Sequence, residues 1–358
     1  MSRQGGRASL KALLVLVGVV LSVLLVSTAF FRWNLTRPGP LLEPRFSLEK
    51  FLRELPGHLV WLIPFMLLSA SIIPLRALQW QRTLSKPVPF RERYHMVAIG
   101  AFTHNALPGK LGEFIRSFLL SRTQRIPFLQ ALGSVAVCKL LEFAALMGLV
   151  ALSFLGPFGE KLARFEEALK AAVAVCVGLV VVVVLLAHYA LPLARWMERR
   201  ERLPRVRSLL GHLAEGLGTA RSFRGMAVAL LYSVGPVLAP ALASGLGLQG
   251  LGIAGGLFAG TVVLGAIALG QALPGVPAGM GIYYFVTSWA ARNLGASEAD
   301  AAAYATLTHL GTVLSQVSVG VLSVRQRGIR LKDLRRGGSL AREAASHVAH
   351  EVAHPARS

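Results

Sequence analysis

The sequence predicts an all-α fold: a polytopic transmembrane helix bundle of about eight spans, with broken or re-entrant half-helices near 105–116 and 273–283. Two observations set the class. Hydrophobic residues make up 54% of the 358-residue chain and charged residues only 15%, with a mean hydropathy of +0.57. That is the composition of an integral membrane protein, and it leaves no room for a sizeable soluble domain. The third observation is that apolar runs of span length recur along the chain, separated by short basic loops.

Leu10 to Phe31 follows Arg3, Arg7 and Lys11. Its apolar core exceeds a signal-peptide core of roughly 7–15 residues, and no small-x-small cleavage pattern follows, so it reads as a first span with its N-terminus in the cytoplasm. Further spans are expected at Leu59 to Leu78, Leu129 to Leu155, Ala168 to Leu191, Met226 to Leu246, Leu251 to Leu273 and Ala301 to Val324. Tyr94 to Leu120 and Leu273 to Asn293 are apolar but broken by Pro-Gly. We expect 1–324 to form one transmembrane domain, with 59–191 and 226–324 as candidate repeat halves, and 325–358 to form a basic cytoplasmic tail.

Loop charge supplies orientation. Arg195 to Arg224 contains eight arginines and Arg76 to Arg93 five basic residues, whereas Gly156 to Glu167 sets Lys161 and Arg164 against three glutamates. The first two loops are expected inside and the third outside. Arg32 to Gly57, with five basic residues, is expected outside only because the loops must alternate. The alternation holds if Tyr94 to Leu120 enters and leaves on the cytoplasmic side. Both termini then lie in the cytoplasm, and the protein is expected to be a multi-pass component of the inner (plasma) membrane. The net charge of +21 fits anchoring beside anionic lipid, so no nucleic-acid partner is expected. Cys138 and Cys176 sit in apolar runs and read as packing residues. His347, His350 and His354 share helical spacing in the tail without a second ligand set, so no metal or other cofactor is expected.

The stretch from His104 to Leu120, HNALPGKLGEFIRSFLL, concentrates the chemistry. Pro108-Gly109 should end one half-helix and start another, since proline removes an amide donor and clashes with the preceding turn. Broken backbone at membrane depth is tolerated only where protein or water covers it. Glu113 and Arg116, three residues apart, share a face of the new half-helix and can neutralise each other. Its N-terminus, with Lys110 beside it, favours an anion such as a lipid phosphate. An ordinary cytoplasmic loop leading into a solvated helix is the other reading. Ala106-Leu107-Pro108-Gly109 recurs as Ala272-Leu273-Pro274-Gly275, followed by Gly112 and Gly279 respectively. Paired broken segments in the two halves of a membrane protein point to a transport site. Lys139 and Glu142 stand three apart inside a span, where a lone charge costs roughly 2.5–3.5 kcal/mol, so they should pair and face protein or a hydrated cavity. They could equally be a structural ion pair. Tyr283, Tyr284 and Trp289 read as interfacial anchors.

The run from Asn105 through Pro108, Gly112 and Glu113 to Arg116 resembles the Asn-x-x-x-Pro-x-x-x-Gly-Glu-x-x-Arg signature of the lysylphosphatidylglycerol synthase transmembrane region family, though proline and glycine fall slightly differently here. Pro277-Ala278-Gly279-Met280-Gly281 is similar to its later Pro-Gly-Gly-Leu-Gly element, and Arg76 with Trp80 to its Arg-x-x-x-Trp. Lys139 and Glu142 occupy positions where the family often has an Arg and an Asp. Two departures stand out: Ala278 replaces the second glycine, and the Tyr283-Tyr284 pair replaces a common glutamate, which puts a lysyl-lipid headgroup in question. The resemblance implies a flippase-like translocating region without the soluble aminoacyltransferase domain. The expected function is movement of a phospholipid or lipid-linked headgroup between leaflets, without enzymatic activity and with a phosphate-bearing membrane lipid as partner. The expected translocation residues are Arg76, Asn105, Pro108, Gly109, Lys110, Gly112, Glu113, Arg116, Lys139, Glu142, Pro274, Pro277, Gly279 and Gly281. An intramembrane lipid transferase using Glu113 or Glu142 as base, or a scaffold for an envelope synthase, are the competing readings. Oligomeric state is not legible.

Overall fold

A computed structural model describes residues 17, 20–34, 40–45, 47–106, 111–155, 166–199, 204–253, 256–271 and 279–329. The described chain is almost wholly helical. Helix α1 (Val20–Phe30) leads into a two-stranded antiparallel ribbon, β1 (Phe31–Trp33) and β2 (Leu42–Pro44), in which Arg32 faces Glu43. Then come α2 (Leu48–Gln81), α3 (Phe90–Ala106), α4 (Gly112–Gln124), α5 (Phe128–Ser153), α6 (Glu166–Arg199) and α7 (Pro204–Gly216). A single 3-10 turn (Gly218–Arg221) precedes α8 (Phe223–Gln249), α9 (Gly256–Gln271), α10 (Met280–Leu294) and α11 (Glu298–Gln326). Among the described residues, five helices are long and apolar enough to cross a membrane, with spanning segments Leu55–Gln81, Phe128–Ser153, Leu169–Met197, Phe223–Gln249 and Glu298–Gln326.

One succession of elements occurs twice. A long helix, two short ones separated by the Ala-Leu-Pro-Gly segment, and another long helix appear first as α2 to α5 and then as α8 to α11. The short members span about 26 and 20 Å for the 17 residues of α3 and 13 of α4, at about 1.5 Å per residue. The 16 residues of α9 and 15 of α10 give about 24 and 22 Å. Each falls short of the roughly 30 Å of a hydrocarbon core.

The chain divides into two compact units, and α2, α8 and α11 each contribute one end to each. Unit 2 holds α3, α4, α6, α7, the second half of α2, the first part of α8, nearly all of α5 and the end of α11. Its core is built on Ile73, Trp80, Met96, Val97, Leu120 and Val135, with Ile99, Ile115 and Val324 in a neighbouring cluster. Gly100 lies beside Gly112, Ile99 clusters with Ile115, and Met96 and Val97 cluster with Leu120. The pairing runs in opposite directions along the two chains, so α3 and α4 form an antiparallel helical hairpin. Gly112 makes the closest approach: a methyl group there would collide with the Gly100 carbonyl oxygen and lie 2.8 Å from His104 Cβ.

Unit 1 holds α1, the ribbon, α9, α10 and the remaining ends of α2, α8 and α11. Helices α8 and α9 meet through small residues, Ala241 and Gly245 against Gly256 and Gly260, where an added Cβ at Gly245 or Gly260 would enter the opposing backbone. This small-xxx-small contact packs membrane helices by close backbone approach. Helices α9 and α10 form a second hairpin, with Gly270 packed on Ile282 and Val286. Trp61, Phe65, Ala243 and Leu307 make its apolar core, and the buried Tyr304 hydroxyl donates to the Ser244 carbonyl at 2.8 Å. Glu298 ties the ribbon to the start of α11 by ion pairs to Arg32 (2.9 Å) and Arg45 (2.7 Å).

Two expectations change. The span expected from Leu251 to Leu273 is the shorter α9, because the chain turns after α8: Gly250 packs on the Trp61 ring and Gly252 takes a left-handed φ of 75°. Of the span expected from Leu10 to Phe31, Val20–Phe30 is helix, and most of its first half lies outside the described residues. The ribbon lies in what reads as plain loop, since strands of three residues carry no periodic signal.

Candidate functional site

Five charged side chains from three helices of unit 2 form one network. Glu113 and Arg116 come from the first turns of α4, Lys139 and Glu142 from the middle of α5, and Arg76 from α2. Arg76 grips Glu142 bidentately, Nε donating to Oε1 at 3.1 Å and Nη2 to Oε2 at 3.0 Å. Bidentate guanidinium–carboxylate pairing fixes geometry as well as charge. Lys139 Nζ sits between the two acids, 3.0 Å from Glu142 Oε2 and 3.1 Å from Glu113 Oε1. Glu113 Oε2 in turn lies 2.5 Å from Arg116 Nε. Each acid therefore touches two cations, which is how charges withdrawn from water avoid the cost of being unpaired.

The balance is uneven. Three cations face two carboxylates, leaving a surplus of one positive charge. The network is also graded in depth: Arg116 and Glu142 side chains are 4% and 11% exposed, whereas Arg76, Glu113 and Lys139 are 28%, 33% and 34% exposed. The buried Arg116 guanidinium lies 4.9 Å over the ring of Trp80, a cation–π contact that holds a cation without neutralising it. Trp80 is fully buried and donates its indole N–H to Ser134 Oγ at 2.9 Å. Arg116 Nη2 is buried and has no hydrogen-bond acceptor among the described residues. A buried, unsatisfied donor on a charged group calls for an explanation, and an anionic oxygen supplies one.

Neighbouring bonds hold the scaffold of this network. Asn105 Nδ2 donates to the Ala101 carbonyl (2.9 Å) and to Gln316 Oε1 (3.0 Å), tying the end of α3 to α11. Gln79, one turn from Arg76, donates to the Cys138 carbonyl (3.1 Å) and to Ser233 Oγ (2.8 Å), linking α2, α5 and α8. Local sequence gives no signal for the Asn105–Gln316 pair, which joins positions 211 residues apart. Trp80, already paired with Arg76 in the sequence but not counted among the translocation residues, lies one helical turn beyond it and joins the site through Arg116.

Of the sequence-expected site residues, Arg76, Glu113, Arg116, Lys139 and Glu142 are in direct contact through this network. Asn105 and Gly112 belong to the hairpin that carries it. Gly279 and Gly281 lie in unit 1: Gly279 starts α10 from a left-handed conformation (φ 63°), and a Cβ on Gly281 would stand 2.5 Å from Ser22 Cα of α1. Pro108, Gly109, Lys110, Pro274 and Pro277 lie outside the described residues, as do the tail histidines. Tyr283 and Tyr284 are not free interfacial rings. Their centroids lie 4.7 and 5.0 Å from that of His309 on α11, and Tyr283 is buried, because α10 packs this face on α11.

The family model described as the lysylphosphatidylglycerol synthase TM region matches residues 15–320. The chain belongs to this family. The match takes in both hairpins and all five members of the charged network of this lysylphosphatidylglycerol synthase TM region protein. Comparison with curated proteins and with solved structures returns no match.

Proposed function

We propose that this lysylphosphatidylglycerol synthase TM region protein is a flippase that moves a phosphate-bearing phospholipid or lipid-linked headgroup between leaflets, and that it has no transferase activity of its own. The observation that carries the reading is the five-residue network, with its surplus positive charge and the unsatisfied Arg116 Nη2. A headgroup phosphate would meet Lys139 and Arg76 at the more open side and present an acceptor oxygen to Arg116, while the acyl chains remain in lipid. Glu113 and Glu142 would keep the three cations in place and prevent the phosphate from binding irreversibly, since binding must stay weak enough for release. Of the two candidate bases of the transferase reading, Glu142 gives both oxygens to Arg76 and Lys139, whereas Glu113 Oε2 accepts no hydrogen bond and is held only by the charge of Arg116.

In this proposal the two hairpins are re-entrant, one in each repeat half, as their lengths favour. Both termini are cytoplasmic. In support, the segments from Arg82 to Arg93 and from Arg205 to Arg224 and the tail from Arg325 are rich in basic residues, as cytoplasmic segments are. An anionic or zwitterionic substrate is favoured over a lysyl lipid, because the Tyr283-Tyr284 pair replaces an acid common in the family.

The test is headgroup translocation in proteoliposomes with reducible anionic, zwitterionic and polyprenyl-linked lipids. Wild-type protein should move a phosphate-bearing lipid, and Glu113→Gln and Arg116→Ala should each abolish that movement. Folded protein that moves none of the panel would refute the flippase reading.

A further inference from the structure

A second pair of cations lies apart from the charged network, where α2 ends and α8 begins, within unit 2. A pocket of about 370 Å³ is lined there by Gln81, Arg82, Ser222, Arg224, Gly225 and Val228. Arg82 is held in place. Its Nη2 donates to the Tyr232 hydroxyl at 2.5 Å, its guanidinium lies 4.2 Å over the same ring, and its carbonyl accepts from Thr219 Oγ1 at 3.1 Å. A guanidinium fixed in this way has already given up much of the side-chain freedom that binding would otherwise remove. Arg224 enters from the first turn of α8, which Ser222 caps by accepting from the Gly225 amide at 3.2 Å.

The pocket continues into an apolar strip: Val228, at the pocket wall, and Leu231, 69% exposed, follow Arg224 at four and seven residues and so share its face of α8. Two arginines lining one pocket at the end of an exposed apolar helix face match a phospholipid: a phosphate at the helix end and an acyl chain along its length. Because α8 is one of the helices long and apolar enough to cross a membrane, that face would lie in lipid, where a phospholipid can serve both the arginines and the strip and inorganic phosphate only the arginines.

We propose that Arg82 and Arg224 form a binding site for a resident anionic phospholipid, distinct from the translocation site and independent of whether the protein transports. The phosphate lies between the two guanidinium groups, and one acyl chain covers Val228 and Leu231.

Retention of phosphatidylglycerol and phosphatidylcholine by the delipidated full-length protein, measured by native mass spectrometry, tests the proposal. An arginine beside an anionic headgroup contributes enough for about a fivefold change in affinity, so Arg224→Gln should weaken phosphatidylglycerol retention about fivefold and Arg82→Gln/Arg224→Gln about thirtyfold. Phosphatidylcholine retention should change little. Arg224→Gln is the decisive variant, because Arg82→Gln also removes the contacts to Tyr232. Inorganic phosphate should fail to displace the bound phospholipid, Glu113→Gln should bind it as wild type does, and Arg224→Gln should still translocate lipid at the wild-type rate if the wild type translocates. The proposal is overturned if Arg224→Gln retains phosphatidylglycerol as wild type does. It also fails if free phosphate competes fully, or if Arg224→Gln abolishes translocation.

Discussion

Replacing Glu142 by glutamine should destabilise the protein. Glu142 holds both Arg76 and Lys139, so the variant leaves three cations facing Glu113 alone and raises the surplus from one positive charge to two. Removing one partner of a buried ion pair costs about 3–5 kcal/mol; Arg76 and Lys139 are each about a third exposed, so the lower end, about 3 kcal/mol, applies. At roughly 2–4 °C per kcal/mol the melting temperature should fall by about 6–12 °C. Cys138 and Cys176 are free and buried, which permits a direct assay: a thiol-reactive fluorophore follows their exposure as the detergent-solubilised protein is heated. Arg76→Gln/Glu142→Gln restores the surplus to one and should recover at least half of the loss, a coupling of the kind expected between contacting charges. If Glu142→Gln melts within about 1 °C of wild type, or the double variant is no more stable than the single one, the network does not balance charge as described.

Two further predictions use the same assay or the translocation assay. Gly112→Ala should lower the melting temperature by several degrees, since overpacking costs about 1–3 kcal/mol and the new methyl meets Gly100 backbone and His104; Gly57→Ala, with open space around it on α2, should be neutral or slightly stabilising. Trp80→Phe keeps a ring under Arg116 and loses the Ser134 bond, about 1 kcal/mol. Trp80→Leu loses both and should cut translocation far more than Trp80→Phe; equal effects would mean that the ring face does not position Arg116.

The positions of the half-helices were legible because their signals are local. Proline and glycine punctuate any helix, and α4 begins at Gly112, three residues after Gly109. The pairs Glu113/Arg116 and Lys139/Glu142 could be read for the same reason, since three-residue spacing puts side chains on one face wherever the helix goes. What joins those pairs could not be read. The Lys139–Glu113 contact, the grip of Arg76 on Glu142 and the Asn105–Gln316 bond connect different helices, and only tertiary packing decides which helices meet. Trp80 shows the difference: its place one turn after Arg76 is visible in the sequence, but its role beneath Arg116 is set by α4 packing against α2. The burial of Tyr283 also depends on a partner, His309, from another helix.

The glycine contact between α3 and α4 has a mechanical consequence. Gly112 lies so close to Gly100 that no side chain could stand between the two backbones there, so α3 and α4 meet directly, main chain on main chain. Glu113 and Arg116 belong to that hairpin, whereas Arg76, Lys139 and Glu142 belong to α2 and α5. Within the charged network, two contacts bridge the divide: Lys139 to Glu113, and Arg116 over Trp80. Were α4 displaced against α2 and α5, the network would part along that seam, with the Arg76–Glu142 and Glu113–Arg116 pairs each left intact on its own side.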